Sequence, residues 1–299
     1  MKTDAEQIPG DYYFKRGFVP VAIRRVRGTV LTHTHNYTGI PHWHDFTELV
    51  IITSGDGVQN INGRSYQVSA GDVFVITGKT SHYFEDYRNL ELVNIIFSDD
   101  IFQDMQEYLN RIPGYHMIFR LEPELRNRRE FHNTLNLSAH SLAYIMGIVR
   151  KIQQEFDFMK PGCEAAIISH LLELTVFLSR ASDSRGGNQP MSRLAGLFTI
   201  LENSYHEEWD LERMAKYTSM SINTLLRTFQ ASVRQTPLQY LTSLRLNAAC
   251  SLLLQTDQQI GEIAFACGFH DSNYFSKRFY SKYHMTPSEY RARNGIPTI

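Results

Sequence analysis

Three histidines and one carboxylate are the residues of the N-terminal half best suited to binding chemistry. His42, His44 and Glu48 share even parity, so a single strand over residues 42–50 would point all three side chains to one face. His82 closes the run GDVFVITGKTSH further along the chain. Imidazoles with a carboxylate form an open site for Fe, Mn, Ni or Zn. The same groups can instead hydrogen-bond a polar small molecule.

Three interpretations of this cluster follow from the residue types. The four side chains bind a metal ion, contact a polar effector, or form a purely structural hydrogen-bonded cluster. In the effector interpretation, the nearby aromatic residues Trp43, Tyr66 and Tyr83 supply stacking and hydrogen bonds for a sugar. The sequence offers no Ser-His-Asp order, no phosphate-binding glycine loop and no HExxH motif, so no catalytic residue is expected.

A second set of residues has the chemistry of base recognition, and it occurs twice. Leu211, Met214 and Ala215 recur as Ile260, Ile263 and Ala264, a shift of 49 positions. From Ser221 onward the shift is 50, because one residue is added in the turn of the second copy. This longer shift pairs Ser221 with Asp271, Asn223 with Asn273, Arg227 with Lys277, Phe229 with Phe279, Pro237 with Pro287 and Tyr240 with Tyr290.

Each copy reads as a short helix, a tight turn and a second helix that begins after an N-cap residue, Ser221 or Asp271. At 100° per residue, a buried side marked by Leu225 and Phe229 leaves a polar face on the opposite side. An asparagine side chain can form two hydrogen bonds with adenine, and an arginine or lysine side chain can donate hydrogen bonds to guanine. The polar face contains Asn223, Arg227 and Gln230 in the first copy, and Asn273, Lys277 and Tyr280 in the second.

A single helix is predicted to connect the two copies. It runs from Pro237 to Gln255 and carries an apolar stripe. Its length, about 27 Å for roughly 18 residues, suits two recognition helices in successive major-groove segments about 34 Å apart. The predicted stripe comprises Leu241, Leu244, Ala248 and Leu252.

The elements that position these residues divide the 299-residue chain into two domains. Residues 20 to 98 read as short strands, and Asn62-Gly63 predicts a type I′ hairpin turn, so a barrel or jelly roll is expected. Residues 142–158 and 164–178 have helical periodicity. We predict an effector-binding and dimerisation domain over 1–180, a linker over 181–192 and a DNA-binding domain over 193–294. The two helix-turn-helix units are placed at about 211–232 and 259–282.

Composition limits the cellular setting. The net charge is −1, and the three cysteines are far apart and outside any CxxC pair, which fits a reducing compartment. The most apolar helical segment, 165–178, is interrupted by Ser169, His170 and Glu173. We therefore expect a cytoplasmic protein that does not cross a membrane.

The C-terminal motif carries a family resemblance. Residues 258–291, QQIGEIAFACGFHDSNYFSKRFYSKYHMTPSEYR, resemble the signature of the AraC/XylS transcriptional regulators, and 194–293 resembles their whole DNA-binding domain. The resemblance implies that the first helix of each unit packs beside DNA and the second reads bases. It departs from the family pattern at Arg234 and His284, where a glycine usually follows each recognition helix. The implied base-contact residues are Asn223, Leu226, Arg227, Asn273, Ser276 and Lys277.

The N-terminal half carries a second resemblance. The runs HWHDFTE and GDVFVITGKTSH resemble the two cupin motifs, whose metal-binding members would use His42, His44, Glu48 and His82 as ligands. Thr77 stands where the second motif has a proline. Residues 41–98 are also similar to the sugar-sensing branch of the AraC/XylS family, above all to its rhamnose regulators.

Together these features predict a DNA-binding transcriptional regulator, expected to be an activator controlled by a sugar-like effector and to be no enzyme. A barrel tethered to a DNA-binding domain needs a ligand that favours one state, not turnover. We therefore expect an effector at the histidine cluster, with no metal and no cofactor. Double-stranded DNA, RNA polymerase and a second subunit, paired through the 140–180 helices, are the expected partners. Two alternatives stay open: a metal-dependent cupin enzyme carrying a DNA-binding domain, and an effector-independent regulator.

Overall fold

The computed structural model describes residues 5–27, 39–87, 89–123, 135–186 and 190–294. The chain divides into two compact units, Met1–Gly187 and Asn188–Ile299. The first unit is built mainly of strands and the second of helices alone, within the described residues. An N-terminal β-rich domain followed by an all-helical domain was the predicted fold class, and it is confirmed.

The described residues of the first unit include ten strands. They are β1 Glu6–Ile8, β2 Val21–Arg27, β3 His42–His44, β4 Thr47–Ser54, β5 Asp56–Ile61, β6 Arg64–Ser69, β7 Asp72–Ile76, β8 His82–Asp86, β9 Glu91–Phe97 and β10 Leu135–Asn136. They make two five-stranded sheets, in the orders β1-β3-β8-β5-β6 and β10-β7-β4-β9-β2. We call them the first and the second sheet.

The predicted hairpin turn at Asn62-Gly63 is confirmed. Asn62 has φ 50° and Gly63 has φ 78°, as a type I′ turn requires of both central residues. The turn joins β5 to β6 with Ile61 opposite Arg64. It thereby fixes which residues of the first sheet face inward.

The expectation of one strand over residues 42–50 is wrong. The chain bends at Asp45 and Phe46, so β3 belongs to the first sheet and β4 to the second. The Nδ1 of His44 contacts the carbonyl of Phe46 at 2.8 Å, and Asp45 accepts a hydrogen bond from the Gly10 amide at 2.9 Å. These local bonds satisfy polar groups at the bend.

The second sheet separates two hydrophobic layers. One face packs with the first sheet around a cluster that includes Val50, Phe74 and Phe84. The other face, including Leu49, Ile51 and Ile95, packs with the helices of the same unit. Both faces of β4 are therefore buried, which explains its continuous apolar run.

The helices of this unit are α1 Gln106–Leu109, α2 Pro113–His116, continued by a wider turn over Met117–Leu121, α3 Ala139–Phe158 and α4 Cys163–Gly186; single turns form at Gly10–Tyr12 and Gln103–Met105. Among the described residues, Cys163–Ser182 alone is long and apolar enough to cross a membrane, and 33% of its most apolar window is buried. Ile167, Leu171 and Leu174 of this helix are fully buried in the core beside the second sheet.

The second unit consists of helices α5 Pro190–Asn203, α6 Leu211–Thr218, α7 Ile222–Val233, α8 Pro237–Gln255, α9 Ile260–Ala266, α10 Ser272–Tyr283 and α11 Pro287–Asn294. Helices α6 and α7 make one helix-turn-helix unit, and α9 and α10 make the other. The repeat persists in three dimensions: Phe229 meets Tyr240 edge-on at 5.6 Å, and Phe279 meets Tyr290 edge-on at 5.5 Å.

The connecting helix has the predicted bounds, but its predicted stripe is wrong. Leu241 is buried, whereas Leu244, Ala248 and Leu252 are only partly buried. No single apolar face exists on α8 because this helix packs on one side against α5 and α7 and on another against α9 and α11. Its fully buried positions are Leu241, Leu246, Ala249 and Leu253.

The segment predicted as a linker, 181–192, is mostly helical. Helix α4 continues to Gly186, and α5 begins at Pro190. Small and polar residues such as Ala181 and Ser182 do not break a helix that is already propagating. The division between the two units falls at Gly187 and Asn188.

Candidate functional site

The histidine cluster is assembled from both sheets. His42 and His44 come from β3 and His82 from β8, while Glu48 comes from β4 of the other sheet. The Oε2 atom of Glu48 lies 3.2 Å from Nε2 of His44 and 3.0 Å from Nε2 of His82. All four side chains are buried, with 1% to 8% of their surface exposed. The four residues singled out by type do meet in space.

The backbone orients all three imidazole rings in the same way. The Nδ1 atoms of His42, His44 and His82 lie 2.8, 2.8 and 3.0 Å from the carbonyl oxygens of Ile40, Phe46 and Thr80. A carbonyl oxygen only accepts, so each Nδ1 carries the hydrogen. Each Nε2 is thereby the atom left for chemistry at the centre of the cluster.

Burial and neighbouring groups set the charges in this cluster. Burial, reinforced by His82, lowers the pKa of His42 to about 4, so this ring is neutral at pH 7. Burial acts to raise the pKa of Glu48, yet contact with His44 and His82 keeps that pKa well below its ordinary value. Asn94 of β9 donates a short hydrogen bond to the other carboxylate oxygen of Glu48. Glu48 is therefore an ionised, oriented carboxylate.

The aromatic residues expected beside this cluster do not all face it. Trp43 lies between the two inward histidines of β3 and therefore points to the opposite face, where Lys79 sits 5.6 Å from its ring. Tyr83 alternates with His82 in the same way, and its hydroxyl contacts Glu85. The expectation that Trp43 and Tyr83 line the site is wrong, because neighbouring residues of a strand face opposite ways. Tyr66 stays on the inward face of β6.

The two recognition helices begin alike. The side chain of Ser221 accepts a hydrogen bond from the Thr224 amide, and that of Asp271 accepts from the Asn273 and Tyr274 amides. Both are N-cap residues, as the sequence predicted. The buried sides are Leu225 and Phe229 in α7 and Phe275 and Phe279 in α10.

The helix faces predicted to contact bases are exposed and do not take part in the hydrophobic core. Asn223, Arg227 and Gln230 are exposed on α7, and Asn273, Lys277 and Tyr280 are exposed on α10. Leu226 and Ser276 occupy the edges of these faces and are partly buried, and the Ser276 hydroxyl donates to the Ser272 carbonyl at 2.9 Å. Two helices thus present amide and basic side chains from matching positions.

Comparison with known proteins assigns both units. Residues 214–293 match the model of a helix-turn-helix domain, and residues 29–144 match the model of an AraC-like ligand binding domain. The chain is 31% identical over 281 residues to the HTH-type transcriptional activator RhaS of Citrobacter koseri, covering 93% of this chain and 94% of that protein. The chain belongs to the AraC family of transcriptional regulators.

A further relative of this AraC-family regulator is the HTH-type transcriptional activator RhaR of Enterobacter sp. strain 638, at 30% identity over 258 residues, 85% of this chain and 87% of that one. Among solved structures, an AraC-type regulator from Chromobacterium violaceum is 33% identical and covers 38% of this chain and 98% of its own, with a TM-score of 0.33. The relatives are transcriptional regulators and not enzymes, so the metal-dependent enzyme alternative falls.

Two residues of this AraC-family regulator escaped sequence reasoning. Gln59 of β5 is 1% exposed, and its buried Nε2 atom has no hydrogen-bond partner within the described part of the chain. Arg64 lies directly after the hairpin turn, and its buried Nη1 atom likewise has no hydrogen-bond partner among the described residues. Register places Arg64, Ile61, His82 and His42 in one row across the first sheet. Alternation along β5 and β6 could have indicated that Gln59 and Arg64 face inward. That inference required the pairing of the strands, which the sequence alone did not provide.

Proposed function

We propose that this AraC-family regulator is a cytoplasmic transcription activator that binds a specific double-stranded DNA site and responds to a sugar-like effector. The observation that carries the proposal is the duplicated exposed face of α7 and α10, where Asn223 and Arg227 recur as Asn273 and Lys277. Exposed asparagine and basic residues at matching positions suit base edges in two major-groove segments.

We assign the base contacts residue by residue. Asn223 and Asn273 suit adenine, and Arg227 and Lys277 suit guanine. Gln230 lies one turn further along the exposed face of α7 and extends its contact with DNA. Leu226 and Ser276, at the edges of the two faces, meet a thymine methyl group or a base edge.

The effector is proposed to bind between the two sheets, beside His42, His44, Glu48 and His82. Buried polar groups normally have hydrogen-bond partners, and two donors on this inward face, Gln59 Nε2 and Arg64 Nη1, have none among the residues that the structure describes. Hydroxyl oxygens of a sugar would accept from such donors, and Tyr66 adds an apolar ring for stacking. L-rhamnose is the first sugar to test, since the rhamnose regulators are the branch that the N-terminal half resembles.

Pairing of two subunits through α3 and α4 is the proposed assembly. Phe158 and Met159, at the end of α3, are 67% and 44% exposed, and Tyr144 on the same helix is 47% exposed. Apolar surface of this kind is typical of an interaction site. RNA polymerase is the proposed partner at the promoter, as expected of an activator.

Selection of binding sites from random DNA tests the proposal. The purified full-length protein should enrich one sequence with half-sites about one helical turn apart, and binding should weaken steeply with salt. Enrichment of no sequence at physiological salt contradicts the proposal.

A regulator that responds to no effector is the second candidate function. It is favoured only if Gln59 and Arg64 have a purely structural role and bind no ligand. A thermal-shift screen over sugars and sugar acids separates the two. A shift caused by a sugar in the wild type, and lost in Gln59→Leu, supports the effector site. A matched change at the exposed Gln67 of β6, Gln67→Leu, should keep the shift.

A further inference from the structure

Gln59 and Arg64 are neighbours on the inner surface of the first sheet. Strand pairing sets Gln59 opposite Tyr66 and Ile61 opposite Arg64, so Gln59 and Arg64 are diagonal neighbours across β5 and β6. Val68, two positions after Tyr66, belongs to the hydrophobic cluster between the sheets, which shows the direction of this face. Diagonal neighbours lie about 7–8 Å apart, within reach of long side chains. One small group between the sheets can therefore contact both side chains.

Both side chains offer donors that no described residue uses. Gln59 is 1% exposed, and its Nε2 atom lacks a hydrogen-bond partner among the residues that the structure describes. The buried Nη1 atom of Arg64 also lacks one, and no carboxylate in the described part of the chain forms an ion pair with this arginine. A guanidinium group has five N–H donors and no acceptor. A ligand that meets these atoms must therefore supply acceptor atoms.

The charge of Arg64 favours an anionic ligand over a neutral one. Arginine keeps its positive charge in proteins, and a buried charge is costly unless an opposite charge accompanies it. Glu48 does not supply that charge, because both its oxygens are engaged, Oε2 with two histidines and Oε1 with Asn94. A sugar hydroxyl would accept the hydrogen bond of Arg64 but leave its charge unbalanced. A carboxylate does both.

The opposite sheet offers an acceptor. Asn94 of β9 lies opposite Val50 of β4, whose side chain belongs to the cluster between the sheets, so Asn94 also faces the first sheet. Its amide nitrogen donates to Glu48, and its buried Oδ1 atom has no partner within the described ranges. An amide oxygen accepts hydrogen bonds from donors such as hydroxyl groups. The interior thus presents donors on one sheet and an acceptor on the other.

On the basis of the sugar-responsive function proposed above, we infer that the effector is a sugar acid. Its carboxylate accepts hydrogen bonds from Arg64 and Gln59, and a hydroxyl group donates to Asn94. One negative charge balances one guanidinium, and the two oxygens of a carboxylate match the planar fork of arginine. A phosphate ester carries about −1.5 to −2 charges at pH 7, which is more than Arg64 balances. Uronic and aldonic acids combine the required carboxylate and hydroxyl groups.

Thermal-shift measurements on the full-length protein with matched ligands test this assignment. The pairs are L-rhamnonate and L-rhamnose, D-galacturonate and D-galactose, and D-glucuronate and D-glucose, with D-glucose 6-phosphate as a further anion. At least one acid should raise the melting temperature, and its neutral partner should not.

The role of Arg64 is measured by titration calorimetry with that acid. Its affinity should fall about 10- to 150-fold in Arg64→Gln, which keeps a donor but loses the charge. Arg64→Lys, which keeps the charge, should lose less. The control is Arg16→Gln, at an exposed arginine of the same unit, which should keep the wild-type affinity. Equal affinities in Arg64→Gln and Arg16→Gln overturn the assignment.

A further measurement needs no ligand. A buried guanidinium without an opposite charge destabilises the ligand-free protein, so Arg64→Met should raise its melting temperature by about 2–4 °C. Arg16→Met should leave it unchanged. A lower melting temperature in Arg64→Met would make Arg64 a structural residue and overturn the assignment.

Failure of the sugar-acid assignment is distinguishable from failure of the proposed function. A neutral sugar that shifts the wild type as much as its acid, or a shift with the sugar phosphate alone, overturns the acid class and leaves a sugar-responsive regulator. A shift with no compound overturns the sugar-acid assignment, while selection of DNA sites decides sequence-specific DNA binding independently.

Discussion

Nε2 of His82 lies 3.0 Å from Oε2 of Glu48, although the two residues belong to different sheets of the sandwich. Glu48 is the point at which the second sheet contacts His44 and His82 of the first. The pair is buried, with side-chain exposures of 4% and 7%. Removal of the carboxylate therefore leaves buried polar groups without their partner.

Glu48→Ala should lower the free energy of unfolding of the N-terminal unit by about 3–5 kcal/mol, because breaking a buried ion pair strands the remaining groups. Urea unfolding in a Trp209→Phe background measures this, since Trp43 then reports the N-terminal unit alone. The control is Glu107→Ala, whose carboxylate is 77% exposed and which should change the value by about 0.5 kcal/mol at most. Equal changes in the free energy of unfolding for the two variants would show that Glu48 contributes no more to stability than an exposed carboxylate.

His116 should make the N-terminal unit sensitive to acid. It is fully buried, and burial together with Arg120 lowers its pKa to about 3. Between pH 6.5 and 4 the unfolded chain binds a proton that the folded chain does not, so stability falls as the pH falls. The loss is up to about 1.4 kcal/mol per pH unit for one such group.

Unfolding of His116→Asn across this pH range checks the assignment. Asparagine can still donate to the Asn110 carbonyl, which His116 Nε2 contacts at 2.8 Å, but it does not titrate. We expect a flatter pH profile for this variant. His140→Asn, at an exposed site, should keep the wild-type slope. Wild-type slopes in both variants would assign the acid sensitivity to other groups.

Arg227→Ala should relax specificity at one base pair by about 1–3 kcal/mol, and Lys277→Ala should do so at a pair in the other half-site. Fluorescence anisotropy on the selected site and its single-base variants measures both. Arg150→Ala, an exposed arginine of the N-terminal unit, controls for the loss of one positive charge. A uniform loss across all sequences would make Arg227 a phosphate contact.

His284→Gly should stabilise the C-terminal unit by up to about 1 kcal/mol. His284 ends α10 with φ 57° and ψ 24°. A left-handed conformation costs a non-glycine residue about 1–2 kcal/mol, and the greater freedom of unfolded glycine offsets about 0.5–1 kcal/mol of the gain. Unfolding followed by Trp209 in a Trp43→Phe background measures the change. His284→Ala keeps the penalty, so an equal gain from alanine would refute this explanation.

The sequence alone was sufficient to locate the helix-turn-helix units and the ends of their recognition helices, although the periodicity of α8 did not give its buried positions. The 49- and 50-residue shifts located both helix-turn-helix units, and the N-cap residues Ser221 and Asp271 located the start of each recognition helix. The left-handed ends at Arg234 and His284 were expected from the missing glycines, and both residues have φ 57°. Hydrogen bonds within one helix turn fix these features, so neighbouring residues determine them.

Tertiary structure decided what depends on pairing across long distances in the chain. The bend at Asp45 and Phe46 placed Glu48 in the other sheet, so the cluster meets across the sandwich and not along one strand. Strand register turned Trp43 and Tyr83 away from the site and placed Gln59 and Arg64 on its inward face. Residue types predict which groups can bind, but only the packing of the two sheets sets the atoms that meet.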